Sequence, residues 1–347
     1  MIRIQNIYYM LAYAFQVLNE ESYAKIALED FDYVEDLLAA ILAKGIANQV
    51  KRGLGREYVP NTNALSCPRG KINVSASLKG GHLHKKQVVC EYDEFSENAY
   101  MNQILKSTTL LLVHSDKVAT KQKRALKKVL FYFSTIDAVD PFTIKWAAVK
   151  YNRNNATYKM LVNICYLVIE ALLPTTQQGA KKLSQFKDEN MHRLFEKFVL
   201  EYYKKNYPAC KASAAYIGWN VDDGVTDLLP AMKSDITLEY PKQNPQKTLI
   251  IDTKYYGHTM QTNPLFNSQT IHSGNLYQIF SYVKNKDVRH TGDVSGVLLY
   301  AKTDEELTPH NSYRMDGNKI SVKTVDLDKD FAGVRAQLDK IVAEWLS

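Results

Sequence analysis

Two apolar runs between Met232 and Tyr256, MKSDITLEY and TLIIDTKYY, each contain an acidic residue where a strand normally buries an apolar one. Asp235 lies in the first run, and Asp252 lies in the second run, two positions before Lys254. Because side chains alternate across a strand, Asp252 and Lys254 share one face. Sixteen residues separate the two aspartates, which is enough to finish one strand, turn and begin its antiparallel neighbour. We therefore predict two paired strands that bring carboxylates and an ammonium group to one small patch.

Carboxylates beside a lysine are the groups that metal-dependent hydrolysis of a phosphodiester requires. The reaction needs a nucleophilic water, stabilisation of extra negative charge and help for the leaving oxygen, and Mg²⁺ held by carboxylates can supply all three. We predict Asp235, Asp252 and the backbone carbonyl of Thr253 as metal ligands. Lys254 would orient or deprotonate the attacking water and offset charge on the phosphate. The structural alternative is that Asp235 caps a turn and that Asp252 and Lys254 form a simple ion pair.

A helix is predicted on each side of these strands in the sequence. The first, Met191–Tyr203, is amphipathic, and Glu196 lies off its apolar stripe, where it could complete the metal shell if the helix packs on the strands. The second, Asn275–Lys284, carries Gln278 and Tyr282 four positions apart, so the two side chains share a face. They would position the lysine or the scissile phosphate; alternatively, they only brace the core.

The remainder of the chain predicts a mixed α/β (α+β) protein with two domains. Helical periodicity predicts further helices at Asn6–Leu18, Val34–Val50, Glu97–Val113 and Thr157–Leu173. From Gly55 to Glu91, short extended runs broken by Pro and Gly predict a small basic, β-rich module. Weak signals predict loops at Thr175–Lys182 and Gly257–Ser273. We expect an N-terminal domain at 1–155 and a domain holding the site at 156–347.

Charge and cysteine usage limit the possible partners and location. A net charge of +7 permits a polyanionic partner without demanding one. A helix that follows His114 is rich in Lys and Arg, and it would contact DNA through Lys121, Arg124 and Lys128 or, alternatively, be only a solvated face. Four scattered cysteines argue against a zinc ribbon or a disulfide scaffold, and with no signal peptide or membrane span they predict a cytoplasmic protein. No GxxxxGK[ST] stretch occurs, so we expect the chain to bind no nucleotide itself.

Four elements in order resemble the PD-(D/E)xK nuclease superfamily, including the QxxxY element of its RecB-like members. They are the helix with Glu196, the strand with Asp235, the strand with Asp252-Thr253-Lys254, and the helix with Gln278 and Tyr282. Ser234 stands where the superfamily name has proline, and Glu196 is matched by its helix position only. The resemblance implies a restriction-endonuclease-like domain with a mixed central sheet flanked by helices, and Mg²⁺ as the cofactor.

Short segments spread over nearly the whole chain carry a second, closer resemblance. They are Asn6–Ala14, Lys44–Gly45, Arg52–Leu54, Tyr58, Pro60–Thr62, Arg69–Ile72, Leu105–Thr108, Leu228–Pro230, Met232, Asp235–Thr237, Asp252–Tyr256 and Asn275–Gln278. They resemble the McrC family, the endonuclease subunits of McrBC modification-dependent (5-methylcytosine) restriction systems.

This resemblance implies a partner and a division of labour. A hexameric McrB-type AAA+ GTPase would receive the N-terminal region in its ring and be stimulated by it, while the C-terminal domain cuts double-stranded DNA after translocation. Arg52, Arg56 and Arg69 are then the expected contacts with the ring. Two alternatives stay open: a non-catalytic nuclease-fold scaffold that regulates the GTPase, and a stand-alone RecB-like repair nuclease.

Overall fold

The structure is a computed structural model that describes residues 2–151, 155–172, 179–241, 246–255, 260–263, 268–302 and 308–347. Helices and strands alternate along this part of the chain, and the strands form both parallel and antiparallel pairs. This confirms the predicted mixed α/β class. No helix within it is long and apolar enough to cross a membrane.

The helices agree with most of the predicted ones. They are α1 (Ile4–Ala14), α2 (Ala24–Ala27), α3 (Val34–Arg52), α4 (Val74–Lys79), α5 (Tyr100–His114), α6 (Thr120–Leu130), α7 (Ala156–Leu172), α8 (Gly179–Asn206), α9 (Ser273–Lys286) and α10 (Phe331–Leu346). The first predicted helix ends earlier than expected, at Ala14, and a 3-10 turn follows it from Gln16 to Asn19. The loop predicted at Thr175–Lys182 is wrong from Gly179 onward, because α8 begins there; residues 173–178 lie outside the described part.

The strands form four sheets. They are β1 (Glu57–Leu65), β2 (Lys71–Ile72), β3 (Val88–Ser96), β4 (Tyr216–Ile217), β5 (Met232–Lys233), β6 (Ile236–Tyr240), β7 (Lys247–Lys254), β8 (Met260–Asn263), β9 (Ser268–Ile271), β10 (Val294–Ala301), β11 (Asn311–Met315) and β12 (Asn318–Val325). The loop predicted at Gly257–Ser273 instead contains β8 and β9, which pair as an antiparallel hairpin. Residues 256–259 and 264–267 of that segment lie outside the described part.

The chain forms two compact units, Phe31–Leu173 and Met1–Asp30 with Pro174–Ser347. These bounds differ from the predicted 1–155 and 156–347 at both ends. Helix α7 is buried on most sides and packs on α3 and α5, so the first unit extends past residue 155. Helix α1 packs on α8, and the Asn6 side chain donates hydrogen bonds to the carbonyls of Leu327 and Lys329 at 2.7 and 2.8 Å, which joins the N-terminus to the other unit.

The unit Phe31–Leu173 combines a helical core with a small sheet. Helices α3, α5, α6 and α7 pack on one another, while β1, β3 and β2 form an antiparallel sheet in that order. The sheet, with α4 between β2 and β3 in the chain, lies where the β-rich module is predicted and extends to Ser96.

The other unit is built on a five-stranded mixed sheet with the order β11-β12-β10-β7-β6. Strand β7 is an interior strand next to the edge strand β6, antiparallel to β6 and parallel to β10. Helix α9 packs on β7 and β10 through a cluster that includes Ile250, Ile279 and Leu298. Helices α8 and α10 are joined by a 2.6 Å hydrogen bond from the Tyr202 hydroxyl to Asp339. This arrangement brings α8, α9 and the start of β6 to the carboxyl end of β7, where the predicted site residues lie.

Candidate active site

The C-terminal end of β7 carries a buried charged pair. Asp252 is 1% exposed and Lys254 is 8% exposed, and the Lys254 ammonium lies 2.7 Å from Asp252 Oδ2. The same ammonium donates a hydrogen bond to Gln278 Oε1 on α9 at 3.1 Å. The Gln278 amide in turn donates to the Tyr282 hydroxyl at 2.9 Å. The structure therefore brings together the strand pair and the helix pair that the sequence predicts, because α9 packs on the face of β7 that presents Asp252 and Lys254.

Asp235 reaches the same end of β7 from the neighbouring strand. It lies on a bend between β5 and β6 rather than inside a strand as predicted. The reason is that the Ser234 backbone continues the pairing of β5 with β4 instead of joining β6: its amide donates to the Ala215 carbonyl at 3.0 Å. Asp235 Oδ2 accepts hydrogen bonds from the Thr253 amide and hydroxyl, both at 2.8 Å. In an extended strand the carbonyl of a residue points to the same side as its amide, so the Thr253 carbonyl predicted as a ligand also faces Asp235.

Helix α8 adds two side chains, one of which the sequence interpretation missed. His192, Glu196 and Asp235 each offer a ligand atom within 4.8 Å of the others. His192 precedes Glu196 by four positions, so the two lie one above the other on the helix surface. The four-residue spacing of His192 and Glu196 was the only sign in the sequence that His192 belongs to the site, since a single histidine on an amphipathic helix is usually a core residue. Asp252 is outside this group of three, and its carboxylate contacts Lys254 instead.

The electrostatics of the site are those of crowded carboxylates. Burial, assisted by the charge of Asp235, raises the pKa of Glu196 to about 7. Burial also raises the pKa of Asp252 to about 6, although Lys254 opposes the shift. The His192 pKa is lowered by burial, and its Nδ1 has no hydrogen-bond partner among the described residues. Burial is the largest cause of all three pKa shifts; the charge of Asp235 adds to it for Glu196 and Asp252 and opposes it for His192.

The donor set fits a hard divalent cation. Three carboxylates and a backbone carbonyl supply oxygen ligands of the kind that Mg²⁺ prefers. The unpartnered imidazole nitrogen of His192 adds a third type of donor, which transition metals such as Mn²⁺ also accept. A cation here would stabilise the ionised carboxylates that burial disfavours, and would so lower the pKa of Glu196 and Asp252.

The sequence is similar to known proteins over most of its length. The sequence model of a family described as "McrBC 5-methylcytosine restriction system component" matches residues 4–301. The chain belongs to this McrBC family. A relative from Escherichia coli (strain K12), described as "Type IV methyl-directed restriction enzyme EcoKMcrBC", is 27% identical over 353 residues, which cover 99% of this chain and 98% of the relative.

A solved structure shares the fold. It is a chain of the half-complex from the tetradecameric assembly of Thermococcus gammatolerans McrB AAA+ hexamers with bound McrC. It is 16% identical, with a TM-score of 0.50 over 97% of this chain and 76% of that one. At 16% identity, this similarity shows only that the two chains share a fold.

The other predicted site residues lie in the unit Phe31–Leu173. Arg56 forms a 2.8 Å ion pair with Glu97, and Arg69 lies over the Tyr92 ring at 4.6 Å. Arg52 is at the end of α3, where its guanidinium contacts the Thr157 hydroxyl at 3.5 Å. These three arginines are thus separate surface residues of this McrBC family member, and their predicted role in partner contact remains a prediction. The three residues predicted to bind DNA, Lys121, Arg124 and Lys128, share an exposed side of α6.

Proposed function

We propose that this chain is the nuclease subunit of a modification-dependent restriction complex, with a PD-(D/E)xK site that hydrolyses DNA phosphodiesters using Mg²⁺. The observation that carries the proposal is the cluster of His192, Glu196 and Asp235 beside the buried Asp252–Lys254 pair, whose lysine Gln278 orients. An ion pair needed only for stability has no use for further carboxylates, because each one adds repulsion and desolvation cost. Membership of the McrBC family supports DNA as the substrate.

The chain's own residues divide the work among them. Glu196, Asp235, Asp252 and the Thr253 carbonyl would hold the ion, with His192 as an additional candidate ligand. A bound Mg²⁺ would supply charge stabilisation at the phosphate and would lower the pKa of water. Lys254 would orient the attacking water or take its proton, and would offset charge on the phosphate. The hydrogen bonds from Lys254 to Gln278 and from Gln278 to Tyr282 would fix the position of that ammonium.

The proposed partner is a hexameric McrB-type AAA+ GTPase. The E. coli relative is described as a restriction enzyme of the McrBC type, and this chain matches it over nearly its full length. The match supports the same assembly for this chain. In that complex, the unit Phe31–Leu173 would dock into the GTPase ring and stimulate GTP hydrolysis, with Arg52, Arg56 and Arg69 as contacts. The other unit would cut double-stranded DNA after translocation, in the cytoplasm.

Cleavage of 5-methylcytosine-containing DNA by the complex, with Mg²⁺ and GTP, tests this function. We expect Asp252→Ala and Lys254→Ala each to lower the cleavage rate by about a hundredfold or more, with stimulation of GTP hydrolysis unchanged. If both variants cut as well as the parent, the site assignment is wrong. A parent chain that stimulates the GTPase but never cuts is a scaffold, and one that cuts without the partner is a stand-alone nuclease.

Direct metal binding gives a second measurement that does not depend on activity. We expect Glu196→Gln and Asp235→Asn each to weaken Mn²⁺ binding, measured by calorimetry, by at least about tenfold. Asp316→Asn, the same chemical change at an exposed carboxylate between β11 and β12, should leave binding unchanged. Unaltered affinity in both site variants would contradict the assigned ligands.

A further inference from the structure

One short segment of the chain is strongly basic. Residues 117–132 contain six Lys and Arg side chains and no Asp or Glu, while the whole chain has a net charge of +7. A second basic segment, residues 51–90, contains eight Lys and Arg and one acidic residue. Segment 117–132 differs from it in having no acidic residue at all, so a polyanion meets no repelling side chain within this segment.

The fold presents this charge on one side of α6. Gln122, Leu126 and Val129 form the buried side of the helix, so the remaining side faces solvent. Arg124, Lys127 and Lys128 are exposed. None of the three forms an ion pair with an acidic side chain among the residues described. Cations placed together without acidic partners repel one another, so the arrangement is unfavourable unless an anion offsets it.

Two exposed aromatic rings continue the same side. Phe131 is 82% exposed and Tyr132 is 57% exposed, and their ring centroids lie 6.1 Å apart in an edge-to-face arrangement. The backbone stays helical through Phe131, so Phe131 follows Lys127 by one turn and Tyr132 follows Lys128 by one turn. Large apolar rings left in water are costly when they have no partner, and contiguous ones mark interaction sites.

We propose that Arg124, Lys127, Lys128, Phe131 and Tyr132, here called the α6 surface, bind a DNA strand with an unpaired or unstacked base. The cations would contact consecutive phosphates, and the base would stack on the exposed rings. Base stacking on aromatic side chains together with cations along the backbone is how proteins hold single strands without reading their sequence. In a paired duplex the faces of the bases are covered by their neighbours, so the rings would contribute little to binding.

Two other occupants are less consistent with these residues. A membrane surface would require the apolar side of α6 to insert, and that side is buried in the protein. An acidic protein surface would account for the cations, but lysine is depleted at protein interfaces and supplies two of the three cations here, Lys127 and Lys128. Both occupants are outcomes of the experiment below.

The inference rests on the proposed function only in taking DNA as the ligand. It is tested with the full chain carrying Asp252→Ala, in EDTA, so that binding is measured without cleavage. The probes are a fluorescent single-stranded oligonucleotide and the duplex of the same sequence, titrated across a series of salt concentrations. The variants are Phe131→Ser and the double variant Arg124→Ala with Lys128→Ala. Phe142→Ser is the control, because Phe142 is 66% exposed but follows Asp137 and Asp140 instead of a basic helix.

We expect Phe131→Ser to weaken single-strand binding by about tenfold and duplex binding by less than about twofold. The double charge variant should weaken binding of both the single strand and the duplex. For the single strand, the slope of log K against log salt concentration should become shallower by about 1.4, which is about 0.7 for each cation removed. Phe142→Ser should bind as the parent does. All the changed side chains are exposed, so the thermal midpoints should be unaltered.

Three results would overturn the inference. The first is equal binding of the single strand by the parent and Phe131→Ser. The second is unchanged DNA binding in the charge variant together with loss of GTPase stimulation, which would assign the α6 surface to the protein partner. The third is unchanged DNA binding together with loss of binding to phosphatidylserine vesicles. Failure of the proposed function is a separate result, since a parent chain that never cuts DNA can still show the expected binding pattern.

Discussion

Ser234 holds the bend that presents Asp235 to the end of β7. It is 1% exposed; its amide donates to the Ala215 carbonyl at 3.0 Å, and its hydroxyl lies 2.7 Å from the Thr237 hydroxyl. Restoring the proline of the superfamily motif would remove both contacts. We expect Ser234→Ala to lower the free energy of unfolding by about 1–3 kcal/mol, and Ser234→Pro to lower it by about 1 kcal/mol more, since the backbone donor is also lost. Urea unfolding of the full chain measures both.

Comparing the stabilities of the two variants separates the role of the Ser234 side chain from that of its backbone amide. If Ser234→Pro is as stable as the parent, the Ala215 contact does not hold the bend. If Ser234→Ala alone accounts for the whole loss, the side chain and not the amide fixes the position of Asp235.

Asp287 at the end of α9 should make part of the stability depend on pH. Burial raises its pKa, but hydrogen bonds from Asn318, Gly292 and Thr291 outweigh burial, so that the net shift is downward. A lowered folded-state pKa contributes stability that is complete above the unfolded value of about 3.9 and is lost as pH falls through the folded value. We expect the thermal midpoint of Asp287→Asn to be lower than that of the parent at pH 5, and the difference to narrow on acidification toward pH 3. The donors are uncharged, so the difference should survive added salt; a difference that salt abolishes would contradict this cause.

The sequence predicted the relative positions of side chains correctly where strand geometry allows only one arrangement. Asp252 and Lys254 had to share a face because they are two apart in a strand, and an acidic residue in a strand buried on both sides is itself a signal. His192 gave no comparable signal, because its closeness to Asp235 depends on how α8 is rotated about its axis, which the sequence does not show. The metal role of Glu196 depended on the same packing, which its helix position alone could not establish.

At the level of elements, the position of α9 depends on Gly296 of β10. A Cβ at Gly296 would lie 2.8 Å from both Ile279 Cγ1 and Val283 Cγ2, so any other residue must push the helix away from the sheet. We expect Gly296→Ala to destabilise the chain by about 1–3 kcal/mol. Because α9 carries Gln278, cleavage should also fall by about tenfold to a hundredfold. Unfolding and cleavage assays on one preparation measure both effects.

Gly274, in the first turn of α9, is the matched control. A Cβ there meets nothing within 4 Å, so Gly274→Ala should be neutral or stabilise the chain by up to about 1 kcal/mol. If Gly296→Ala resembles this control in stability and in cleavage, close packing of α9 on β10 does not position the site.

Elements with strong periodicity were predictable, and elements that depend on pairing were not. Helices α3, α5 and α7 agree with their apolar repeats to within about one turn. Strands β8 and β9 were missed because neither has an apolar alternating pattern, and only their mutual pairing defines them. Strand β11 is similar: its residues are largely exposed, and it is a strand because β12 lies beside it.

For the whole molecule, two compact units imply two separable activities. All the residues of the proposed nuclease site lie in the unit that contains the five-stranded sheet. The unit Phe31–Leu173 carries a different kind of surface: Tyr58 and Phe95, cross-strand partners in β1 and β3, are 73% and 55% exposed, with ring centroids 5.2 Å apart. Exposed aromatic pairs of this kind are enriched at protein interfaces, so they are the first place to test for partner contact.

We therefore expect variants in the two units to have opposite effects. Tyr58→Ser with Phe95→Ser should lower stimulation of the partner's GTP hydrolysis by about tenfold or more while leaving the thermal midpoint unchanged, since both rings are solvent-exposed. Asp252→Ala should stimulate normally and fail to cut. Added in excess to the parent complex, Asp252→Ala should suppress cleavage by occupying the GTPase, whereas the aromatic double variant should not, because it cannot occupy that site. If both variants suppress cleavage equally, the aromatic pair does not contact the GTPase, and partner binding must lie elsewhere in the unit Phe31–Leu173 or in the other unit.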